Sequence, residues 1–138
     1  MPRILLIDDT PEIAELLTYA LRDHGYEVAT SGFTGEINDL IAEVRADALV
    51  FDCTALEMSE SLFDSVRSVA DQAALPIVIV SDTPEKADTS LRRRQAEHVL
   101  LIPKPFTGSQ IARALAELLA SASPQVPSPQ VPGRAPSS

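Results

Sequence analysis

The stretch Ala48-Leu49-Val50-Phe51-Asp52 places four apolar residues directly before one carboxylate. A continuous apolar run of this length is typical of a strand that is covered on both faces, as in a parallel sheet. A polar residue at the carboxyl end of such a strand lies at the edge where open α/β folds bind their ligands. Asp52 is therefore the first candidate for a functional residue, although Asp is also a common turn residue at the end of a strand.

Three other apolar runs also lead into polar residues. These are residues 4–7 before Asp8 and Asp9, residues 75–80 before Ser81 and Asp82, and residues 99–102 before Pro103 and Lys104. A further short strand is predicted from Tyr26 to Thr30 because its residues favour extended structure. Five strands are expected in all.

Apolar residues at helical spacing separate these strands. The predicted helices run from about Pro11 to about His24, from Ile37 to Val44, from Leu62 to Ala70, from Thr83 to about Arg92, and from Ile111 to Leu119. The sequences Thr10-Pro11-Glu12 and Thr83-Pro84-Glu85 predict a threonine cap followed by proline at the first helical position. Alternating strands and helices imply right-handed crossovers and an α/β doubly wound parallel sheet with helices on both faces.

The composition indicates a single acidic globular domain. A length of 138 residues allows one domain with a real core, and no second domain of normal size fits beside it. The net charge of −9 argues against direct binding to nucleic acid or to an acidic membrane surface. The single Cys53 cannot form an internal disulfide, and neither a signal peptide nor a membrane span is recognisable. We therefore expect a cytoplasmic protein.

The composition changes near residue 121. Residues 123–127 read Ser-Pro-Gln-Val-Pro, and residues 128–132 repeat that sequence. A proline-rich segment with almost no charge cannot bury a core, so residues 122–138 are predicted to be a flexible tail behind a domain of residues 1–121. Each repeat spells a P-x-x-P motif, but a passive tail is the simpler interpretation.

The polar residues at the strand ends form a chemically coherent set. In the predicted sheet, Asp8, Asp9, Asp52, Ser81 and Lys104 all lie at one edge. Several carboxylates at one edge repel one another, and Mg²⁺ neutralises such a cluster while leaving positions for water and phosphate oxygens. A carboxylate can accept a phosphoryl group when a metal, an ammonium group and a hydroxyl stabilise the developing charge. The predicted chemistry is therefore phosphoryl transfer.

Residues 1 to about 121 resemble a response regulator receiver domain of two-component signalling. The resemblance rests on Ile7-Asp8-Asp9, Val50-Phe51-Asp52, Ser81 and Lys104-Pro105-Phe106, each at the end of a predicted strand. It implies a flavodoxin-like strand order of 2-1-3-4-5 and a switch that is phosphorylated by a histidine kinase or a histidine phosphotransfer protein. It also implies that the domain catalyses its own phosphorylation and dephosphorylation without being a dedicated enzyme.

The resemblance also implies a role for each site residue. Asp52 would be the phosphoacceptor, Lys104 would pair with the phosphoryl group, and Ser81 would hydrogen-bond it. In the family, the peptide bond that corresponds to Lys104–Pro105 is cis. The implied ligands of Mg²⁺ are Asp8, Asp9, Asp52 and the backbone carbonyl of Thr54.

Three positions depart from the family pattern. Leu101 stands where receivers usually carry Tyr or Phe, and residues 55–60 lack the Pro and Gly that usually follow the phosphoacceptor, which predicts an altered loop. Asp82 stands where the family prefers a small residue. Its carboxylate either turns outward and helps cap the next helix, or faces the site as a gate or an additional metal ligand.

Two further features have a plain interpretation beside a functional one. Cys53, next to Asp52, is either a redox-sensitive thiol or a small buried hydrophobe, and the second interpretation is the more common. Arg92-Arg93-Arg94 form a basic surface that either docks an acidic partner or is a solvated helix end.

Two other functional classes remain open at this point. A docking module with a receiver fold that works without phosphate is favoured by Leu101 and Asp82, but the complete set of acids and lysine opposes it. A small Mg²⁺-dependent phosphatase with an aspartyl nucleophile lacks the second acid–base Asp, because position 54 is Thr. No effector domain is recognisable after residue 121, so we expect output through binding to an unidentified protein, and homodimer formation is left open.

Overall fold

Strands and helices alternate along the chain in the computed structural model, which describes residues 1–122. In chain order the elements are β1 (Arg3–Asp8), α1 (Pro11–Asp23), β2 (Glu27–Ser31), α2 (Ile37–Val44), β3 (Ala48–Asp52), α3 (Leu56–Arg67), a 3-10 turn (Ala70–Gln72), β4 (Ile77–Ser81), α4 (Pro84–Arg93), β5 (Val99–Pro103) and α5 (Gly108–Ala122). The strands form one parallel sheet in the order β2-β1-β3-β4-β5. The predicted tail lies outside the described residues, apart from Ala122 at the end of α5.

Alternate residues of the central strands face two separate hydrophobic cores. Ile4, Leu6 and Val50 pack in the core beneath α1 and α5. Their neighbours Leu5 and Phe51 pack in the core beneath α2, α3 and α4. Every residue of β3 is buried because both faces of the sheet are covered. The predicted fold class, the strand order and the helices on both faces are all confirmed.

The third helix begins at Leu56, six residues before the predicted start at Leu62. Ser59 lies on its buried face, so a polar residue interrupts the apolar pattern in the first turn. The helix also ends earlier than predicted, and Ala70 belongs to the 3-10 turn instead. The loop between β3 and α3 is short, and Asp52 keeps its place at the strand end.

The two predicted threonine caps are wrong in their chemistry, although proline does occupy the first turn of both helices. Neither threonine side chain caps its helix. Instead, the backbone N–H of Thr10 donates to Asp8 Oδ1 at 2.8 Å, and that of Thr83 donates to Ser81 Oγ at 3.0 Å. The side chains at the strand ends therefore organise the loops that enter α1 and α4.

Arg67 ties together the amino ends of β4 and β5. Its guanidinium donates to the carbonyl oxygens of Gln72 and Leu75 at 2.8 Å each, and to those of Glu97 and His98 at 3.0 and 3.2 Å. Burial lowers the pKa of this guanidinium. One guanidinium thus holds four carbonyl groups at the edge of the sheet opposite the candidate site.

No helix within residues 1–122 is both long enough and apolar enough to cross a membrane. The first helix ends at a glycine, since Gly25 has a φ of +90° directly after His24.

Candidate functional site

Asp8 and Asp52 lie side by side at the carboxyl edge of the sheet. They are register partners on the adjacent parallel strands β1 and β3. Asp8 is 5% exposed and Asp52 is 3% exposed. Two carboxylates are therefore held close together and largely away from water, which is costly for both charges.

The pKa of Asp8 is raised from its ordinary value to about 7. Burial is the largest cause, the hydrogen bond from Thr10 opposes it, and the neighbouring charge of Asp52 raises it further. Asp8 Oδ2 is buried without a hydrogen-bond partner. In the absence of a cation, burial and the charge of Asp52 therefore favour the protonated form of Asp8.

Lys104 provides the positive charge of the site. It follows β5, and its Nζ lies 3.1 Å from Asp52 Oδ1. The direction of this contact is not that of a hydrogen bond, since Asp52 Oδ1 has no hydrogen-bond partner among the described residues. The contact is thus an ion pair that leaves the oxygen available to a further ligand. The Lys104–Pro105 peptide bond is cis, as the family resemblance implies.

Ser81 lies at the end of β4 and is buried, but its hydroxyl is engaged locally. Its Oγ accepts the N–H of Thr83 and lies 3.2 Å from Thr83 Oγ1. The backbone N–H of Lys104 donates to the Ser81 carbonyl at 2.8 Å, which links the ends of β4 and β5. Sequence reasoning missed Thr83 as the partner of this hydroxyl.

Asp9 turns toward the loop after β3. The backbone N–H of Thr54 lies 3.2 and 3.1 Å from its two carboxylate oxygens. Hydrogen bonding from Thr54 is the main reason that the pKa of Asp9 is lowered. The backbone N–H of Thr54 therefore contacts Asp9 directly, whereas the role of the Thr54 carbonyl as a metal ligand stays a prediction.

The donor set fits a hard cation. Within residues 1–122, no three His, Cys, Asp or Glu side chains converge closely enough to form a metal site by themselves. The buried oxygens Asp8 Oδ2 and Asp52 Oδ1 nevertheless lack hydrogen-bond partners, and the two like charges repel. Mg²⁺ needs only one or two carboxylates, because it keeps several waters. These residues therefore suit Mg²⁺ better than a cation that requires a complete protein cage.

The residues at which the sequence departs from the family pattern are also resolved. Asp82 is exposed, and no side-chain hydrogen bond caps the start of α4, so the capping alternative is not seen, whereas the alternative of a gate or metal ligand stays a prediction. Leu101 is half-buried and packs in the core beneath α2, α3 and α4. Cys53 is buried, and burial raises its pKa to about 11, so the thiol stays protonated and the plain interpretation holds.

The predicted basic surface at the end of α4 is only partly basic. Arg92 pairs with Asp88 in the same helix at 2.7 Å. Arg94 instead reaches α3, where it contacts Asp64 at 2.8 Å and Glu60 at 3.6 Å. Sequence reasoning missed this contact between the two helices, because i,i+4 spacing relates residues of one helix only.

Fold and site together define a doubly wound α/β protein with buried acids, a hydroxyl and a lysine at its ligand-binding edge. Comparisons with known proteins agree with this description. The family model of the response regulator receiver domain matches residues 4–116. The chain therefore belongs to the response regulator receiver domain family, whose members work in two-component systems with histidine kinases.

Curated relatives are longer than this chain. It is 29% identical over 117 residues to the DNA-binding response regulator MtrA of Mycolicibacterium smegmatis, an alignment that covers 84% of this chain and 50% of the relative. It is 30% identical over 120 residues to the alginate biosynthesis transcriptional regulatory protein AlgB of Pseudomonas aeruginosa, covering 85% of this chain and 26% of the relative. The chain thus spans about half or less of the length of these relatives.

Solved structures share the fold. The signal receiver domain of a histidine kinase from Syntrophus aciditrophicus has a TM-score of 0.75 at 21% identity, with 94% of this chain and 98% of that chain covered. The response regulator TrrA of Thermotoga maritima, solved in complex with Mg²⁺ and BeF, has a TM-score of 0.66 at 23% identity, with 86% and 99% covered.

Proposed function

We propose that this receiver domain is a phosphorylation-dependent switch in which Asp52 accepts a phosphoryl group from a histidine kinase or a histidine phosphotransfer protein. The observation that carries the proposal is the contact of 3.1 Å between Lys104 Nζ and Asp52 Oδ1, with Asp8 in register beside it. We further propose that the domain works in the cytoplasm and that its output is binding to another protein.

The chemistry is a substitution at phosphorus. A carboxylate oxygen of Asp52 forms the new P–O bond, the bond from phosphorus to the donor breaks, and the donor leaves with the bonding electron pair. Lys104 is already close enough to move from the carboxylate to an oxygen of the incoming phosphoryl group. Its ammonium would stabilise the negative charge spread over those oxygens.

Ser81 supports this reaction only after its local contacts change. Its hydroxyl now interacts with Thr83, so hydrogen bonding to a phosphoryl group on Asp52 requires that hydroxyl to reorient. A hydroxyl rotates easily about its side-chain bond, and Thr83 N–H can keep its hydrogen bond to Ser81 Oγ while the proton of Ser81 points elsewhere. The Ser81 hydroxyl can then give up its contact with Thr83 Oγ1 and donate to a phosphoryl oxygen on Asp52.

Asp8, Asp9, Asp52 and the carbonyl of Thr54 are the residues that would hold Mg²⁺. The bound cation would neutralise charge at the phosphoryl oxygens. The raised pKa of Asp8 and its unpaired buried oxygen support this assignment, because a cation at this place replaces the proton that Asp8 otherwise retains. Asp9 would have to share its carboxylate between the cation and the N–H of Thr54.

Incubation with Mg²⁺ and acetyl phosphate, followed by intact mass measurement, tests the proposal. The wild-type chain should gain the mass of one phosphoryl group, and the gain should disappear in acid or alkali because an acyl phosphate is labile. Asp52→Asn should gain nothing, since the amide is nearly isosteric but cannot form the acyl phosphate. Asp39→Asn, at an exposed position on α2, is the matched control and should be phosphorylated like the wild type.

A docking module that works without phosphate would show no mass gain in any of these proteins. That result would refute the proposal if Mg²⁺ binding and folding were intact. Labelling that persists in Asp52→Asn would instead show that another residue is the acceptor.

A further inference from the structure

Arg94, at the carboxyl end of α4, makes an ion pair with α3 that has two hydrogen bonds. Its Nε and Nη2 lie 2.8 and 3.0 Å from the two carboxylate oxygens of Asp64. Its Nη1 lies 3.6 Å from Glu60 Oε2. The Arg94 side chain is only 25% exposed, so this pair is more constrained than a free surface contact.

Ser90 completes the connection from the interior. Its side chain is buried, and its hydroxyl donates to Glu60 Oε2 at 2.5 Å while it accepts from Arg94 Nη1 at 2.5 Å. Arg94 Nη1 also lies 3.2 Å from the Ser90 carbonyl oxygen. We refer to Glu60, Asp64, Ser90 and Arg94 as the α3–α4 latch.

The backbones of α3 and α4 do not approach one another closely. The contact between the two helices is therefore made mainly by side chains. Beneath the latch, Phe63, Ala87 and Leu91 line a small cavity between α3 and α4. The hydrogen bonds of the latch therefore add to the apolar packing between the two helices.

Both helices start directly behind the candidate site. The chain enters α3 shortly after Asp52, and it enters α4 shortly after Ser81. Residues 82–83 connect Ser81 to α4, and we refer to them as the Ser81 loop. The hydrogen bond from Thr83 N–H to Ser81 Oγ organises this loop. A shift of α4 relative to α3 would therefore disturb residues 82–83 and the contact of Thr83 with the Ser81 hydroxyl, while the backbone of Ser81 stays paired with β5.

On the basis of the function proposed above, we propose that the α3–α4 latch is a positioning device that holds the Ser81 loop in place relative to Asp52. Arg94 is the positioning residue at its centre. Phosphoryl transfer depends on donors held close to where charge develops, and displacements of about 1 Å are enough to slow such reactions. The latch supplies that order from a distance, without contact to the phosphoryl group.

Arg94→Met tests the proposal, because it keeps much of the side-chain length and removes every donor. The limiting rate of phosphorylation by acetyl phosphate with Mg²⁺ should fall roughly three- to tenfold, within the range of coupling between packed elements. The acetyl phosphate concentration at half-saturation should stay unchanged. Amide hydrogen exchange should become faster over residues 81–87. Arg94→Lys should give intermediate values because an ammonium cannot form the paired contacts of a guanidinium.

Arg92→Met is the matched control. Arg92 lies on the same helix, its side chain is 80% exposed, and its ion pair to Asp88 stays within α4. This variant should change neither the limiting rate nor the exchange over residues 81–87. If Arg94→Met fails to fold, Asp64→Asn replaces it, since the Asp64 side chain is 56% exposed and its loss removes the paired contact alone.

Unchanged rate and exchange in Arg94→Met, with only a lower melting temperature, would overturn the proposal and leave the latch a stabilising contact. If only Asp64→Asn can be measured, a rate and an exchange equal to those of the wild type would likewise overturn the proposal. If the wild type is not phosphorylated at all, the function proposed above fails. Hydrogen exchange over residues 81–87 in the two arginine variants then still decides whether the latch holds the Ser81 loop.

Discussion

At the scale of single residues, Asp8 is the group whose charge depends most on what occupies the site. Burial and the charge of Asp52 raise its pKa to about 7, whereas an unfolded chain would have a value near 4. The folded protein therefore binds more protons than the unfolded chain between these two values. By linkage, the contribution of Asp8 to the free energy of unfolding of the protein falls as pH rises from about 4 to about 7 and is constant above pH 7.

The first prediction follows from that pKa. Without divalent cations, the stability of the wild type should fall between about pH 4 and pH 7 by more than that of Asp8→Asn, whose amide does not titrate. Urea unfolding at several pH values in the presence of a chelator measures this difference. If the two proteins show parallel pH profiles, Asp8 does not carry the raised pKa. Saturating Mg²⁺ should reduce the difference, because the cation stabilises the deprotonated form.

At the scale of secondary-structure elements, α1 and α5 pack closely at one point. A Cβ atom added at Gly108, the first residue of α5, would clash with the Cβ atom of Ala20 on α1. Glycine ordinarily weakens a helix by about 0.5 to 1 kcal/mol relative to alanine. The close approach reverses that preference here, because neither helix can shift without disturbing the core beneath α1 and α5.

The second prediction is that Gly108→Ala lowers the free energy of unfolding by about 1 to 3 kcal/mol through overpacking. Combining it with Ala20→Gly should recover part of that loss, which gives a favourable coupling energy in a double-mutant cycle. Gly32→Ala is the control, since a Cβ there meets no atom within 4 Å. Chemical denaturation measures all four variants. A stabilising Gly108→Ala, or purely additive effects, would contradict the packing argument.

The elements and the site were predictable to different degrees. Strand β3 could be predicted because its five residues are all buried, and a strand covered on both faces reads as a continuous apolar run. The convergence of Asp8, Asp52 and Lys104 was also predictable, because the carboxyl ends of parallel strands meet at one edge. These inferences depend on spacing alone.

Side-chain hydrogen bonds were less predictable. The preference of Asp9 for the N–H of Thr54, and of Ser81 for Thr83, depends on rotamers and loop geometry that the spacing of residues does not encode. The start of α3 was missed because Ser59 is a polar residue on a buried face. The latch was missed because Glu60 and Asp64 have the spacing of ordinary solvated charges.

At the scale of the whole molecule, charge and metal binding are linked to the stability of the fold. The chain carries a net charge of −9, and two of its carboxylates are buried at the site. A cation that binds the folded chain but not the unfolded chain raises the free energy of unfolding logarithmically with its concentration. The acidic site therefore makes global stability a measure of metal binding.

The third prediction is that Mg²⁺ raises the melting temperature of the wild type, with a gain of about 2.7 kcal/mol at one hundred times its dissociation constant. Asp9→Ala should show a much smaller rise because a proposed ligand is lost. Asp39→Ala, on the outer face of α2, should respond like the wild type. Thermal unfolding over a series of Mg²⁺ concentrations measures these responses. An equal rise in Asp9→Ala would place the metal elsewhere.

The central claim is that Asp52 itself carries the phosphoryl group, and chemical trapping tests it most directly. Protein phosphorylated by acetyl phosphate with Mg²⁺ is treated with borohydride, which reduces an acyl phosphate to an alcohol, and the position is identified by peptide sequencing in a mass spectrometer. We predict reduction at residue 52, and none in Asp52→Asn or in protein treated without acetyl phosphate. Reduction at Asp8 or Asp9 instead of residue 52, or no reduced residue in a phosphorylated wild-type protein, would contradict the assignment.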